Sequence, residues 1–240
     1  MFPYGDNLTH GFRSPVVWAL LALMIAVTAA DELSGLHRTL VAELGFTPVL
    51  FSTRPWRHVH TLVTASLLHG DMFHLAGNCL FLWVFGRSLE RLFGWWRFAL
   101  VFPFLGVMGF VVHWLLSPAS RVPVIGASGA VSALLGAYLV LFPYARMRTI
   151  IVYLPFWKRI AVPAWAFLGY WAGLQVASLA LGMGEDDGTA YAVHVGALAL
   201  GMMIAAIWKT SYPAAEEELE AFVDTSFAAA PPPARTSRLC

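Results

Sequence analysis

The sequence predicts an all-α polytopic membrane protein: a bundle of six transmembrane helices with both termini cytoplasmic. Three observations carry this reading. Of 240 residues, 59% are hydrophobic and 12% charged, against about 45–50% and roughly 25% in ordinary soluble domains. The apolar excess is spread over six separate runs, each at or near the ~20 residues that cross a bilayer core. Lys and Arg are unevenly shared between the connections, which sets an orientation.

Residues 1–13 form a short polar lead ending in Arg13. Pro15 to Ala30 is free of charge and makes the first span, extending toward Leu33. Thr28, Ala29 and Ala30 after an apolar run also suit a signal-peptide cleavage site. A retained helix fits better, because removing it leaves five spans and breaks the charge pattern. Residues 34–68 are a long connection with Pro48, Pro55 and the pair Trp56-Arg57, and with apolar content of its own (Val49, Leu50, Phe51). Such a loop is expected to be ordered and partly embedded in the membrane.

The second span runs from Met72 through Gly86 and ends near Glu90–Phe93; the third is Phe98 to Leu116. Val122 to Ala145 holds the fourth, stopped near Pro143. Ile160 to Gly184 holds the fifth and Gly188 to Trp208 the sixth. Thr149–Trp157 is apolar but too short to cross, and reads as interfacial. Residues 210–240 turn acidic and then Ala/Pro-rich, expected as a helical stub and a disordered tail. The chain therefore divides into the lead 1–13, a core 14–209 and the tail 210–240.

The N-terminus, the 2–3 and 4–5 connections and the end of span six carry nine Lys/Arg (Arg13, Arg87, Arg91, Arg97, Arg146, Arg148, Lys158, Arg159, Lys209), the other side four (Arg38, Arg54, Arg57, Arg121). By the positive-inside rule both termini face the cytoplasm, and spans two, four and six enter from outside. The net charge of +1 and the lack of a basic stripe give no sign of a nucleic-acid partner. Cys79 and Cys240 are too few and too far apart for a disulfide framework.

Polar residues inside spans are costly and mark function by default. His69, His74 and Asn78 open span two, Ser128 opens span four, and His194 lies early in span six. All three spans run inward, so these groups meet at a similar depth. His74 and Asn78 share one helix face; that face can ligate a metal, donate to an oxyanion, or bond another helix. Taken alone, Ser128 is most simply a packing residue and His194 a structural hydrogen bond. The setting argues for more. Gly126 and Gly129 clear the space around Ser128, and small residues continue down span four as Ser132, Ala133, Gly136 and Ala137. Span six has Gly196, Ala197 and Gly201. Two small-faced helices can pack closely and bring the serine to a base, which a serine nucleophile requires.

These residues resemble the rhomboid family of intramembrane serine proteases. The resemblance rests on Leu68-His69-Gly70-Asp71 with His74-Leu75-Ala76-Gly77-Asn78, Phe85-Gly86 through Glu90, Gly126-Ala127-Ser128-Gly129, and His194-Val195-Gly196 with Gly201, in order from about Trp56 to Trp208. It implies a six-helix rhomboid-like bundle and a serine endopeptidase that hydrolyses peptide bonds in or next to transmembrane segments of membrane-protein substrates. It implies Ser128 as nucleophile and His194 as general base, with an oxyanion pocket from the Ser128 backbone N–H, His74 and Asn78. Supporting roles fall to His69, Trp56, Arg57, Glu90, Gly126, Gly129, Gly196 and Gly201. No cofactor and no metal are implied. Ser132 stands where some relatives carry an aromatic that stacks on the histidine; Val193 and Ala197 replace its common alanine and glycine neighbours. By the same resemblance span five is the substrate gate, with residues 185–190 as a cap. Its aromatics (Trp165, Phe167, Tyr170, Trp171) also suit lipid-facing anchors, and that is the favoured expectation.

Glu90 lies 16 residues after His74, ~24 Å along a helix at 1.5 Å per residue. It cannot complete a triad, and a buried interhelical hydrogen bond is its expected role. Two other functions stay open: a catalytically silent rhomboid-like factor that binds or escorts membrane proteins, and a metal or transport site built from His69, His74, His113 and His194. The six-span core without a transit peptide suggests a prokaryotic plasma membrane. The sequence does not set the oligomeric state or the natural substrate.

Overall fold

The computed structural model describes residues 1–9, 11–153, 155–183, 191–211, 217 and 219–223. The chain is mostly helical. Strand β1 (Phe2–Gly5) precedes helix α1 (Pro15–Ser34). The first loop holds α2 (His37–Leu44), α3 (Pro48–Thr53), α4 (Pro55–His58), α5 (Thr61–Thr64) and a 3-10 turn over Ala65–Leu67. Then α6 (Met72–Phe81) runs through a π-helical turn at Leu82–Gly86 into α7 (Arg87–Phe93). Next come α8 (Trp95–Leu116), α9 (Ser128–Leu141), strands β2 (Arg146–Tyr153) and β3 (Phe156–Pro163), α10 (Ala164–Ala180) and α11 (Tyr191–Ser211). Among the described residues, α1, α8 and α11 are long and apolar enough to cross a membrane.

α9 is the axis of the bundle: every residue from Gly129 to Tyr138 is buried. Burial of this kind is not driven by water exclusion inside a bilayer, where lipid tails are as apolar as leucine; dispersion between close backbones has to hold the helices together. Gly136 and Gly201 provide that approach. A Cβ at Gly136 would lie 2.0 Å from the Leu198 carbonyl oxygen, and one at Gly201 1.9 Å from that of Ala133. The α9–α11 seam is therefore close backbone contact, with Ala197 fully buried beside it. Gly196 faces the other way, toward Val112 of α8.

Two expectations change. The all-α class is corrected by a three-stranded antiparallel sheet in the order β1-β2-β3. β2 pairs with β3 from Arg146↔Pro163 to Tyr153↔Phe156, so the stretch expected as interfacial is strand. The alternation is visible in β2, where Met147 and Thr149 are fully buried between exposed Arg146 and Arg148. The polar lead joins the same sheet and the core. β1 pairs with β2, and the buried Asp6 carboxylate accepts from Tyr138 of α9 (2.7 Å), from the Ser88 hydroxyl, and from the Leu8 and Thr9 N–H groups. Finally, the fourth helix is shorter than Val122–Ala145. It starts at Ser128, because Val124 is bridged to Phe46 of the first loop and is held extended. The acidic 5–6 connection (Glu185, Asp186, Asp187), the expected cap at 185–190 and nearly all of the tail lie outside the described residues.

Glu90 takes the expected role. It is fully buried and accepts from Val16 N (3.0 Å) and Val17 N (2.8 Å). These are free N–H groups of the first turn of α1, whose own N-cap Ser14 makes no side-chain cap. Charged hydrogen bonds of this kind are worth about 1.5–3 kcal/mol each. Glu90→Ala is expected to cost about 3 kcal/mol, read as a fall in thermal unfolding temperature in detergent, with Glu90→Gln in between.

Candidate active site

The start of α9 borders a cavity of about 580 Å³. His74, Asn78, Gly126, Ser128, Ser132, Trp171, Gln175 and His194 are among the residues that line it. Ser128 is the first residue of α9, so its N–H is one of the donors a helix terminus leaves without an internal partner. The approach to it is fixed by the first loop. Phe46 and Val124 exchange backbone hydrogen bonds (3.0 and 2.8 Å), and the Gly126 N–H donates to the Ala65 carbonyl (2.8 Å). The long loop thus holds the backbone that presents the serine.

α6 brings the next two groups. Asp71 caps it, its carboxylate accepting from Phe73 N (2.7 Å) and His74 N (2.8 Å). The His74 N–H bond is the first cause that holds this carboxyl below the usual range. One turn on, Asn78 is buried, and its amide nitrogen has no hydrogen-bond partner among the described residues. Gly126 is why these side chains reach the serine. Its φ is +114°, and a Cβ there would lie 2.6 Å from His74 Cε1 and 3.7 Å from Asn78 Nδ2. Only glycine lets the backbone before Ser128 press against the His74 ring. An unpaired buried amide donor, a histidine and a helix-terminal N–H thus border one space, the set an oxyanion pocket needs.

His194 comes from the first turn of α11. Its Nδ1 lies 2.8 Å from Gln175 Oε1 of α10. The ring sits 6.2 Å from that of Trp171, tilted by 36°, and 6.2 Å edge-on to that of Tyr191. Ser128 and His194 are not hydrogen-bonded to each other among the described residues; such contacts are often long before substrate binds. Two of these partners escape sequence reasoning. Trp171, expected to face lipid, is half-buried and also packs on Phe81 of α6. Gln175 is the only amide side chain in the fifth apolar run, and its cost in that setting was the available signal. Ser132 is buried in α9 and lines the cavity, offering no ring to the histidine.

The remaining candidates divide. His69 is buried beside His74, with ring centroids 5.3 Å apart, and its Nδ1 is 3.3 Å from Thr28 Oγ1 of α1. That contact ties α1 to the end of the first loop. Gly129 meets Gly109 of α8, where an added Cβ would be 3.4 Å from the Gly109 Cα. Trp56 and Arg57 are not brought to the cavity; Trp56 is 89% exposed on α4. Glu90 and Gly201 act in helix packing. His113 is buried in α8 away from the cavity lining. Among the described residues no three His, Cys, Asp or Glu side chains are grouped to hold a metal ion.

Comparison with known proteins bears on this arrangement. The rhomboid domain family model matches residues 55–210. The chain belongs to the rhomboid family. This rhomboid is 40% identical over 84 residues to rhomboid protease GluP of Bacillus subtilis, covering 35% of the chain and 15% of that protein. It is 26% identical over 211 residues to the human presenilin-associated rhomboid-like protein, mitochondrial, covering 86% of the chain and 50% of the relative. It is 28% identical over 149 residues to rhomboid protein 1, mitochondrial, of Saccharomyces cerevisiae, covering 60% and 40%. The matched regions span at most half of these relatives. The expected prokaryotic plasma membrane is corrected by the same matches, because relatives aligned over 60–86% of this rhomboid are named as mitochondrial. Hydropathy and charge report a bilayer and a sidedness, and they do not distinguish one organelle from another.

Proposed function

We propose that this rhomboid is an intramembrane serine endopeptidase that cleaves transmembrane protein substrates with a Ser128–His194 dyad. The observation that supports the reading is the shared cavity: Ser128 of α9, His194 of α11, and His74 and Asn78 of α6 line the same space. Ser128 Oγ attacks the substrate carbonyl while His194 Nε2 takes its proton. The Ser128 N–H, His74 and Asn78 hold the resulting oxyanion. His194 then protonates the leaving amine, and water, activated by the same histidine, hydrolyses the acyl-enzyme. A helical substrate has its carbonyls bonded within the helix, so it must unwind locally in the cavity. It would enter past α10, the proposed gate.

In this reading the core 14–209 crosses the bilayer six times, with α6 and α7 as one kinked span and the short α9 at the centre. Both termini lie on the Lys/Arg-rich side, and the names of the long-aligned relatives favour a mitochondrial membrane. The unpaired Asn78 amide makes a specific forecast. Asn78→Ala is expected to lower kcat by about 10²-fold with KM little changed, measured on a reconstituted transmembrane substrate.

A fluorophosphonate probe tests the assignment directly. Labelling of the wild type that disappears in Ser128→Ala supports a reactive serine. A folded wild type that does not label rejects the protease reading, and favours the silent rhomboid-like binding factor.

A further inference from the structure

A serine–histidine pair works only if the histidine presents a lone pair to the serine. Neutral imidazole has two tautomers, and the one with a proton on Nε2 has nothing to accept with on that side. Some partner must hold the proton on Nδ1. In this chain Ser132 offers neither a ring nor a bond, and no carboxylate lies within hydrogen-bond reach of His194 among the described residues. What faces Nδ1 is the Gln175 side-chain oxygen, at 2.8 Å. A carbonyl oxygen only accepts, so the nitrogen it meets carries the proton and Nε2 is left free.

We propose that Gln175 of α10 is the positioning residue that fixes the tautomer and orientation of His194, a role that rests on the protease reading above. Trp171, one turn earlier on α10, lies against the same ring, so a single helix both seats and orients the base. Beyond Leu168, α10 meets the core through Trp171, which packs on Phe81 and His194. The buried residues of α10 are Ala164, Phe167 and Leu168, all in its first half, whereas Trp171 and Gln175 lie beyond them. Displacement of the outer half of α10 carries the acceptor away from Nδ1. The base is therefore set only while α10 is docked, so the position of α10 controls the reactivity of His194.

The test compares Gln175→Met, close in volume and suited to an apolar helix, with Gln175→Glu, which keeps an acceptor. Two readouts are taken on the full chain in detergent. One is the nitrogen chemical shifts of ¹⁵N-labelled His194, assigned by the signal lost in His194→Asn. The other is kcat and KM on a transmembrane substrate. The wild type is expected to show the Nδ1–H tautomer and Gln175→Glu to keep it. Gln175→Met is expected to lose it, with a fall in kcat of about 10²-fold at unchanged KM. An unchanged His194 spectrum in Gln175→Met overturns the proposal. If Gln175→Met does not fold, loss of the Nδ1–H tautomer in Gln175→Glu overturns it instead. The spectra need no turnover: a wild type that fails to cleave rejects the protease reading, while the tautomer comparison still decides the role of Gln175.

Discussion

Ser128→Ala, His194→Ala and the double variant are expected to lose cleavage of a transmembrane substrate by the same factor, about 10³-fold or more. Equality is the informative part. If the serine attacks only after the histidine takes its proton, removing either leaves the other with nothing to do, and the second substitution costs nothing further. Residual activity would come from the cavity and the oxyanion donors alone. Independent contributions would give a double variant slower than either single one by the product of their effects. A structural His194 would give a smaller loss that tracks the fall in unfolding temperature. Initial rates in proteoliposomes, at matched amounts of folded enzyme, separate these cases. Persistent cleavage by Ser128→Ala sinks the assignment of the nucleophile.

What was legible in the chain follows from the solvent it is written for. In an apolar run each polar residue carries a cost, so Ser128, His194, His74 and Asn78 stand out, and the structure brings them to one cavity. The charge of Glu90 stood out for the same reason, and its partners proved to be backbone N–H groups of α1. The sheet was hidden because its pieces are remote: β1 pairs with β2 across more than 140 residues, and nothing local in Phe2–Gly5 signals a partner. The early end of the fourth helix was hidden too. Val122–Ala127 is apolar enough to continue it, and the bridge from Phe46 to Val124, with the Gly126 N–H bound to the Ala65 carbonyl, keeps it out of the helix. Trp171 shows the limit of composition. Aromatic residues in a membrane helix suit the interface and a packed wall equally, and contact with Phe81 and His194 decides between them.

Gly201→Leu is expected to be the most damaging substitution for the fold outside the cavity lining. At Gly201 the first added carbon already falls 1.9 Å from the Ala133 carbonyl oxygen, 2.7 Å from its carbon and 2.8 Å from its Cα. All three are backbone atoms of the buried α9, so no rotamer change relieves the clash. The helices must separate, giving up the dispersion that holds them where no water-driven force does. Overpacking typically costs about 1–3 kcal/mol and occasionally more; Gly201→Ala belongs at the upper end and Gly201→Leu beyond it. Gly169 on α10 is the control, since a Cβ there meets nothing within 4 Å. Gly169→Ala should be neutral, or stabilising by up to about 1 kcal/mol through helix propensity. Thermal unfolding in one detergent should then show a clear drop for Gly201→Ala, a larger one or no folded protein for Gly201→Leu, and none for Gly169→Ala. The same seam carries Ser128 on α9 and His194 on α11, so any folded Gly201 variant should lose kcat more than its stability alone implies. Equal unfolding temperatures for Gly201→Ala and Gly169→Ala would show that α9 and α11 are not in backbone contact.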